Sequence, residues 1–450
     1  MYLLYSFLLT LGFIILLPRF VADAFRNGKY VTGLRQRLGG VPRIGGDGSQ
    51  IIWLHCVSVG EAQAAQSLVH ALAKTFPDFR LAISTTTVTG QQVARQIFAD
   101  QADAIFYLPI DWAWTVRRVL RRIQPTAILV METELWPRLF RESAQRDIPV
   151  ALVNGRISDK SFRRYLRIRP FMRRVLNDLT LGVMQTANDA DRIRNLGLDE
   201  NRIKVSGNLK FDSAAVEVDG LLTNEIRERF RFGDNRPLIV AASTHAGEEA
   251  IILDALKKIS QSHPATRLML APRHPERFAE VASLLESSGL SVARRSSPPS
   301  TNDANAEVIL LDTIGELRAV YALADIVFVG GSVAPHGGHN VIEPARFGVC
   351  TVTGPHTENF AAIMKVMLAD DALIQLTSST DAAAEVASVF DRLLKDEASR
   401  RMTGQRAKAV CDRNRGATDK TISFISEMLT AEQPEQTQVD LSSFEATTVK

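Results

Sequence analysis

The chain has 450 residues, of which 46% are apolar, 23% charged and 7% aromatic, and its 53 Lys and Arg against 50 Asp and Glu give a formal net charge of +3. This is the composition of a globular protein, so it excludes a wholly disordered, collagen-like or coiled-coil chain. The small net charge argues against a dedicated nucleic-acid-binding protein. The length predicts two or three domains.

The cysteines point to the compartment. Cys56, Cys350 and Cys411 are odd in number and far apart, so they form neither a disulfide framework nor the close pairs of a zinc site. We therefore predict that the working domains face a reducing compartment.

The first residues differ from the rest of the chain. Residues 2–17 carry no charge and are slightly fewer than the ~20 that cross a bilayer as a helix. No positive charge precedes the run, which disfavours the alternative of a cleaved signal peptide. Positive charges follow it from Arg19 to Arg43, with Asp23 the only acid among them. The pattern predicts an uncleaved membrane anchor, residues 1–22, with the catalytic body in the cytoplasm; the anchor either spans the bilayer or lies in its interface.

From residue 50 onward, short apolar runs rich in β-branched residues alternate with amphipathic segments of helical length, which predicts parallel sheets covered on both faces. The first series of predicted strands is Ile51 to Ser58, Arg80 to Thr85, Thr126 to Met131, Val150 to Val153 and Leu181 to Gln185. The second series is Leu238 to Ala242, Arg267 to Ala271, Glu307 to Leu311, Asp325 to Val329 and Val349 to Thr353. We predict an α/β fold of two Rossmann-like, doubly wound domains.

The two series also define the predicted domain boundaries. The N-terminal domain covers residues 23–212, a linker 213–236, the C-terminal domain 237–430 and a disordered tail 431–450. Open α/β sheets bind ligands at the carboxyl ends of their strands, so two such domains facing each other would share a central cleft.

The loop after the first predicted strand, WLHCVSVGEAQAA, places Glu61 at the carboxyl edge of the sheet. A carboxylate there either complements the dipole of the next helix or faces the ligand as a general base. Ser58 and Gly60 can direct backbone N–H groups towards an anionic ligand. The residue types leave both roles of Glu61 open.

A second acidic loop, METELWP, follows the predicted strand that ends at Met131. Glu132 and Glu134 point to the same side if the chain stays extended. Like charges this close cost energy, which favours a functional pair over the alternative that one of them caps the next helix.

Residues 156–174 form a basic segment with eight Lys and Arg against one acid, interleaved with Phe162, Tyr165 and Phe171. A solvated helical face is the usual meaning of such a run. The excess of charge and the aromatic residues favour an anionic lipid headgroup or membrane surface. Nucleic acid is the less favoured anion, because the chain shows no recognisable nucleic-acid module.

Two loops of the second series follow strands. In ASTHAGEE, Ser243 or Thr244 can cap a helix whose first turn holds Glu248. In APRHPERF, Arg273 and His274 stand at a strand end, and a planar guanidinium suits a phosphate or carboxylate.

The glycine-rich segment GGSVAPHGGHNVIEPA, residues 330–345, follows a strand and leads to a helix predicted to begin near Asn340. Small residues let the backbone approach a ligand, and free N–H groups at a helix start attract phosphate. The carboxylate of Glu343 would repel a phosphate, so it is better placed to accept hydrogen bonds from ribose hydroxyls. Arg273 and Lys210 are the cations available for a nucleotide phosphate. The histidines of these loops lack acids at ligand spacing, so no metal site is predicted.

The motifs WLHCVSVGE, METELWP, NGRIS, GNLKFD, STHAGEE, APRHPERF, GELRAVYALADIVFVGGS, GGHNVIEPA and GPHTENF, in this order, resemble the 3-deoxy-D-manno-octulosonic acid (Kdo) transferases of lipopolysaccharide synthesis. The similarity runs from the N-terminal segment to about residue 425. It implies a two-domain GT-B glycosyltransferase that moves Kdo from CMP-Kdo to a lipid A precursor, lipid IVA, with inversion and without a metal or cofactor.

By this resemblance Glu61 is the catalytic base, and Glu132 and Lys210 stabilise the transition state. The implied donor contacts are Pro272, Arg273, His274, Ile314, Gly315, Glu316, Asn340, Val341, Ile342 and Glu343. Val341 stands where many relatives have proline, which matters little if the contacts there are made by the backbone.

The resemblance further implies that the N-terminal domain takes the lipid acceptor and the C-terminal domain takes CMP-Kdo. Together with the charge pattern, this predicts a protein on the cytoplasmic side of the inner membrane, held by the N-terminal anchor. Contact of the basic segments with the membrane is our own inference from their charge, and no nucleic-acid partner is expected. Two alternatives remain: another nucleotide-sugar transferase or epimerase, and a membrane-bound nucleotide or lipid sensor. A sensor has no use for carboxylates at the strand ends.

Overall fold

The computed structural model describes residues 1–27, 32–213, 220–233, 236–377 and 381–431, with side chains for all of these except residues 19–27. The predicted tail beyond residue 431, residues 214–219 of the predicted linker and the charged side chains from Arg19 to Lys29 lie outside what is described. The chain forms two compact units, one of Met1–Ser213 with Arg415–Lys450 and one of Ala214–Asn414.

The first unit is built on a parallel sheet of seven strands. These are β1 (Ile51–Cys56), β2 (Arg80–Thr85), β3 (Ala104–Tyr107), β4 (Ala127–Met131), β5 (Val150–Gly155), β6 (Leu181–Met184) and β7 (Ile203–Val205). Their order in the sheet is β3-β2-β1-β4-β5-β6-β7. The strands are apolar throughout because helices cover both faces: Ile51 and Trp53 of β1 enter the core on one face, and Ile52 and Leu54 enter the core on the other.

The helices of this unit alternate with its strands. They are α1 (Tyr2–Asn27), α2 (Leu34–Arg37), α3 (Val59–Ala64), α4 (Gln66–Thr75), α5 (Val88–Ile97), α6 (Ala113–Ile123), α7 (Pro137–Ala144), α8 (Asp159–Leu166), α9 (Arg169–Leu176), α10 (Ala187–Leu196) and α11 (Lys210–Ser213).

The second unit has its own seven-stranded parallel sheet. Its strands are β8 (Leu238–Thr244), β9 (Arg267–Pro272), β10 (Val292–Arg294), β11 (Val308–Leu310), β12 (Ile326–Val329), β13 (Cys350–Thr353) and β14 (Ile374–Gln375), in the order β10-β11-β9-β8-β12-β13-β14. Its helices are α12 (Gly220–Phe230), α13 (Glu248–Ile259), α14 (Phe278–Glu286), α15 (Leu317–Tyr321), α16 (Ile342–Ala345), α17 (Ala361–Ala369), α18 (Ala382–Lys395) and α19 (Glu397–Arg413). The prediction of two doubly wound parallel sheets is confirmed.

The last helix, α20 (Ala417–Ala431), belongs to the first unit. The carboxylate of Asp212 accepts hydrogen bonds from the backbone N–H groups of Gly416 (2.9 Å) and Thr418 (2.6 Å), which satisfies the start of the helix. Ile425 and Met428 enter the core of the first unit. The predicted C-terminal domain, residues 237–430, includes this stretch, whereas the structure places it with the first unit. Likewise, α12 makes part of the predicted linker an element of the second unit.

Helix α1 lies against the first unit by one side. The Tyr5 hydroxyl donates to the Asp111 carboxylate at 2.9 Å, and Arg138 Nε donates to the Ser6 hydroxyl at 2.7 Å. The opposite side is apolar and open to solvent, with Leu3 82% and Phe7 63% exposed. The docked side is therefore held by polar contacts, and the apolar residues face outward.

Within the described chain, no helix is both long enough and apolar enough to cross a membrane. The predicted membrane-anchor helix of residues 1–22 is therefore not supported. The physical reason is length: the uncharged run of residues 2–17 is shorter than the ~20 residues that a span requires.

In each sheet the winding direction reverses at one pair of neighbouring strands. The pair is β1 and β4 in the first unit and β8 and β12 in the second. The loops that follow such a pair diverge to opposite faces of the sheet and leave a crevice at its carboxyl edge, where doubly wound folds bind ligands. The loops carrying Glu61 and Glu132 follow the first pair, and those carrying Glu248 and the glycine-rich segment follow the second.

Candidate functional site

In the first unit, Glu61 stands in the first turn of α3, directly beyond β1, and is only 7% exposed. One carboxylate oxygen accepts the backbone N–H of Val57 at 2.7 Å, and the other accepts the hydroxyl of Ser58 at 3.3 Å. These are capping contacts at the start of α3, a structural role in addition to the two roles, helix-dipole partner and general base, that the sequence leaves open. The capping contact does not exclude chemistry, because it leaves a buried carboxyl at the strand edge.

The neighbouring loop from β4 carries two further carboxylates. Glu132 has a left-handed backbone (φ 53°), so the chain turns there. The extended chain that would point Glu132 and Glu134 to the same side is therefore absent at this position. The N–H of Glu132 donates to the carbonyl of Val153 in β5 at 2.9 Å, and this hydrogen bond stabilises the turn. Lys210 Nζ lies 3.8 Å from the Glu132 carboxylate. Glu132 and Lys210 therefore form an ion pair at this edge of the sheet.

Burial and charge together change the protonation of this cluster. The pKa of the Glu61 carboxyl is raised from 4.5 to about 8, mainly by burial and in addition by the negative charges of Glu132 and Glu134. Burial, with the charge of Glu132, also raises the pKa of Glu134. A carboxyl with a pKa near 8 holds its proton strongly, which is the property expected of a general base at neutral to mildly alkaline pH.

Asn154, to which the sequence analysis gave no role, holds two of these loops together. Its backbone is left-handed (φ 56°), and its side-chain oxygen accepts the N–H of Leu209, next to Lys210, at 3.0 Å. Its own carbonyl accepts a hydrogen bond from Gln185 Nε2 at 3.0 Å. The signal in the sequence was the residue type, because asparagine tolerates a left-handed backbone where a strand ends in a turn.

In the second unit, the carboxylate of Glu248 binds backbone N–H groups at the start of the glycine-rich segment. It is 1% exposed, and its two oxygens accept the backbone N–H groups of Gly331, Ser332 and Val333 at 2.7–2.9 Å and that of His245 at 2.9 Å. The start of the glycine-rich segment is therefore satisfied by the protein's own carboxylate. The prediction of N–H groups free for phosphate is therefore wrong for Gly331, Ser332 and Val333, and it stays a prediction for the start of the following helix.

The capping prediction for the same loop is also wrong. Helix α13 begins at Glu248 after Gly247, and neither Ser243 nor Thr244 caps it. Instead, Thr244 ends β8, and its hydroxyl donates to the buried carboxylate of Glu249 at 2.8 Å. Arg277 forms an ion pair with the same carboxylate at 2.7 Å.

Three predicted donor-binding residues lie where β9 ends. Pro272 is buried as its last residue, and Arg273 and His274 follow it with exposed side chains. The charge of Arg273 contributes to lowering the pKa of His339, so its guanidinium lies near the glycine-rich segment. The structure therefore brings the predicted cation and that segment to the same sheet edge.

The predicted residues 314–316 form an exposed turn before α15. Ile314 is 78% exposed and Gly315 has φ 91°, whereas the Glu316 carboxylate is engaged by Arg295 Nε at 2.6 Å. This turn can offer a ligand its backbone and the isoleucine side chain.

The predicted residues 340–343 are divided between surface and core. Val341 and Ile342 are buried, so only their backbone can reach a ligand. The Asn340 side-chain oxygen accepts the Ile342 N–H at 3.1 Å, and its amide donates to Glu343 at 3.4 Å. Helix α16 has four residues, Ile342–Ala345, and starts later than the predicted Asn340. Burial raises the pKa of the Tyr321 phenol, the charge of Glu343 raises it and that of Arg273 lowers it, so Glu343 and Arg273 both lie near Tyr321.

The basic segment forms α8 and α9. Its charged residues from Asp159 onward are exposed, including Arg163, Arg167 and Arg169, and Arg156 is half-buried. The interleaved aromatic residues Phe162 and Phe171 are instead half-buried against the core of the first unit. Their role is packing, so the exposed arginines and Lys160 are the groups available to an anionic partner.

Among the residues described, no group of three or more His, Cys, Asp or Glu is arranged to hold a metal ion. The three cysteines are buried and unpaired.

Comparison with known proteins identifies the relatives of this chain. Residues 32–213 match the family described as 3-Deoxy-D-manno-octulosonic-acid transferase (kdotransferase). The chain is 34% identical over 404 residues to the 3-deoxy-D-manno-octulosonic acid transferase of Haemophilus influenzae, covering 90% of this chain and 93% of the relative. It is 33% identical to the transferase of the same name from Bordetella pertussis, covering 84% of this chain and 87% of the relative.

Solved structures support the fold independently. The UDP-GlcNAc 2-epimerase of Neisseria meningitidis, solved with UDP-GlcNAc, superposes with a TM-score of 0.55 and 13% identity, covering 85% of this chain and 100% of that chain. At this identity the similarity concerns the fold alone.

Proposed function

The chain belongs to the 3-deoxy-D-manno-octulosonic acid transferase family and is therefore a glycosyltransferase, and we propose that it transfers Kdo from CMP-Kdo to the lipid A precursor lipid IVA in lipopolysaccharide synthesis. We propose that the reaction inverts the anomeric centre and uses no bound metal. The observation that carries the proposal is the buried Glu61 carboxyl beside the Glu132–Lys210 ion pair at the edge of the first sheet.

In the proposed reaction, Glu61 accepts the proton of the acceptor's primary hydroxyl while that oxygen attacks the anomeric carbon of Kdo. The bond from the anomeric carbon to the phosphate oxygen breaks, and CMP leaves from the opposite face with the bonding electrons. The raised pKa supports this role, because a more basic carboxylate removes a proton more readily. Lys210 and Glu132 stabilise charge as it develops.

The second unit supplies the proposed CMP-Kdo site. Arg273, with no side-chain ion pair or hydrogen bond among the described residues, is the proposed partner of a donor anion. Asn340 and Glu343 supply amide and carboxylate groups for the ribose hydroxyls, and the turn at Ile314 offers an apolar side chain to the base. The short α16 contributes little dipole, so the cation carries most of the phosphate recognition.

The direct test is incubation of the purified protein with CMP-Kdo and lipid IVA, followed by mass spectrometry. We expect a product heavier by Kdo units, together with free CMP, and the same yield when a metal chelator is present. Arg273→Ala should raise the KM for CMP-Kdo by about tenfold, because a charge-assisted pair contributes roughly 1.5 kcal/mol or more. Conversion of a UDP-sugar without any Kdo transfer would contradict the proposal in favour of the epimerase alternative.

We further propose that the protein works at the cytoplasmic face of the inner membrane, with the exposed side of α1 lying in the interface. The apolar side chains Leu3, Phe7 and Ile14 are 82%, 63% and 58% exposed, and Phe171 of the basic helix α9 packs 6.0 Å from the Tyr5 ring of α1. Arginines beside an apolar helix face favour a surface of anionic lipid.

The proposed location predicts that the chain binds anionic vesicles and that a variant with fewer apolar side chains on α1 binds them less. The chain should sediment with vesicles of anionic phospholipid, and the double variant Leu3→Ser/Phe7→Ser should lose most of that binding because it removes apolar area from the interface. Met402→Ser, which changes an exposed residue of the second unit (52% exposed), is the matched control and should bind as the unaltered chain does. Equal sedimentation of all three proteins would contradict the proposed location.

A further inference from the structure

Four histidines of the second unit meet at the carboxyl edge of its sheet. His245 follows β8, His274 follows β9, and His336 and His339 lie in the glycine-rich segment after β12. Nε2 of His245 lies 2.8 Å from Nε2 of His339. The His245 ring stacks on that of His336 with centroids 4.1 Å apart, and the His274 ring meets it edge-on at 5.2 Å.

The protein positions this cluster through its backbone. An added Cβ on Gly331 would lie 2.8 Å from Cδ2 of His339 and 3.3 Å from Cδ2 of His245, so glycine leaves the space in which the two rings meet. The buried Glu248 carboxylate fixes both sides of the pair, since it accepts the N–H of Gly331 and the N–H of His245. The close approach of the two rings is therefore built into the loop.

The charges around the pair favour its neutral form. The pKa of His339 is lowered to about 3, mainly by burial and in addition by the groups that face it, which are Arg273, His245, His274 and His336. Burial and the neighbouring histidines also lower the pKa of His245. The other charged groups that His245 faces are Glu248, which is occupied by backbone N–H groups, and Arg277, which is paired with Glu249.

A neutral pair at this distance shares one proton, with one Nε2 donating and the other accepting. A second proton cannot enter without breaking that bond and adding a positive charge next to Arg273. An anion placed against the pair would remove this obstacle, because it would compensate the added charge and accept a hydrogen bond from each ring.

We propose that His245 and His339, together with Arg273, bind an anionic group of the nucleotide-sugar donor and take up a proton from solvent as it binds. The ligand chemistry is a phosphate or a carboxylate oxygen, and the donor carries both. This inference rests on the proposed function, since it concerns how that donor is recognised.

On binding, a proton from the buffer adds to the accepting Nε2, and the hydrogen bond between the rings is exchanged for two hydrogen bonds to the anion. Net, the complex gains one proton. Donor binding should therefore strengthen as the pH falls, down to the pH at which the anion itself is protonated.

Calorimetric titration of the full chain at pH 6.5, in buffers of low and high ionisation enthalpy, measures this proton directly. When CMP binds, we expect the wild type to take up more than about half a proton more than His339→Asn does. The comparison with this variant removes the contribution of the CMP phosphate, whose second pKa is about 6 and which titrates in both proteins. His339→Asn and His245→Gln should each weaken CMP about tenfold, and His70→Gln, which changes an exposed histidine of α4, should do neither. Thermal melting verifies that each variant is folded.

Titrations with CMP, cytidine and free Kdo show whether the bound anion is the phosphate or the carboxylate. Uptake with CMP but not with cytidine assigns the site to the phosphate, and uptake with free Kdo but not with CMP assigns it to the carboxylate. Tight binding of CMP or Kdo with the same proton count in the wild type and both histidine variants would overturn the inference and leave the donor assignment intact. Failure of the wild type to bind any of these ligands would overturn the donor assignment itself, and the inference with it.

Discussion

Glu61→Gln should lower kcat/KM for transfer by about a thousandfold while leaving CMP binding unchanged. A positioned general base typically contributes between 10² and 10⁴ in rate, and the amide of glutamine cannot accept the proton. The amide oxygen can still accept the N–H of Val57, so the start of α3 is preserved. The measurement is steady-state kinetics beside calorimetric titration with CMP, and undiminished turnover would remove Glu61 as the base.

The same variant should be more stable than the wild type at alkaline pH. The Glu61 carboxyl has a pKa of about 8 in the folded protein against an ordinary value of 4.5, so folding favours its protonated form. Its contribution to stability is then fully present below pH 4.5 and is lost as the pH rises through 8. Glutamine stays neutral, so at pH 8.5 the variant should gain about 2–4 kcal/mol in its free energy of unfolding and gain nothing at pH 4.5.

The pH dependence of transfer provides an independent check on the cluster. The rate should rise with pH to a midpoint near 8, because Glu61 must lose its proton to act as a base. In Glu132→Gln the maximum rate falls, and the midpoint shifts to lower pH since a negative charge that holds the proton on Glu61 is removed. An unshifted midpoint in that variant would show that Glu132 does not set the basicity of Glu61.

The strands that the sequence predicted and those that it missed differ in their position in the sheets. Every predicted strand is present, whereas Ala104–Tyr107, Ile203–Val205, Val292–Arg294 and Ile374–Gln375 were missed, and these four are the edge strands of the two sheets. A central strand is buried on both faces and reads as a continuous apolar run. An edge strand is short and less buried, as the two residues of β14 illustrate, so its pattern is weak.

The residues of the first unit's cluster were predictable because a polar residue straight after an apolar run is visible in the sequence, as Glu61 and Glu132 are. The arrangement of the other residues around Glu61 and Glu132 was not predictable from the sequence. The turn at Glu132 depends on a hydrogen bond to β5, and the position of Lys210 depends on Asn154, which is distant in sequence. Contacts between loops of different strands arise only from the fold, so no local pattern announces them.

The same limit explains Glu248, whose place near the start of a helix suggested simple capping. Its carboxylate instead bonds to N–H groups more than 80 residues away in the chain. Those N–H groups belong to the glycine-rich loop that we predicted to bind phosphate. An internal carboxylate satisfies the same donors and holds the loop that carries His336 and His339. These histidines and Arg273, which follows β9, are the groups that we propose for recognition of the donor.

Glu248→Ala should therefore have the largest effect on stability of any single substitution in this loop cluster. It leaves the N–H groups of His245, Gly331, Ser332 and Val333 without an acceptor, and each buried unsatisfied donor costs roughly 1–3 kcal/mol. Allowing for water that enters the space, we expect a loss of about 3–5 kcal/mol in the free energy of unfolding at neutral pH, measured by urea denaturation.

Glu248→Gln and Glu286→Ala separate the causes of that loss. Glutamine keeps one acceptor oxygen for Ser332 and Val333 but sets an NH₂ group against the donors of Gly331 and His245, so it should recover only part of the stability. Glu286, exposed at the end of α14, should change stability by less than about 0.5 kcal/mol. CMP affinity should fall with stability along the Glu248 series, because the loop that loses its acceptor is the loop that positions His339. A Glu248→Ala protein as stable as the wild type would show that the buried carboxylate is not what holds the loop.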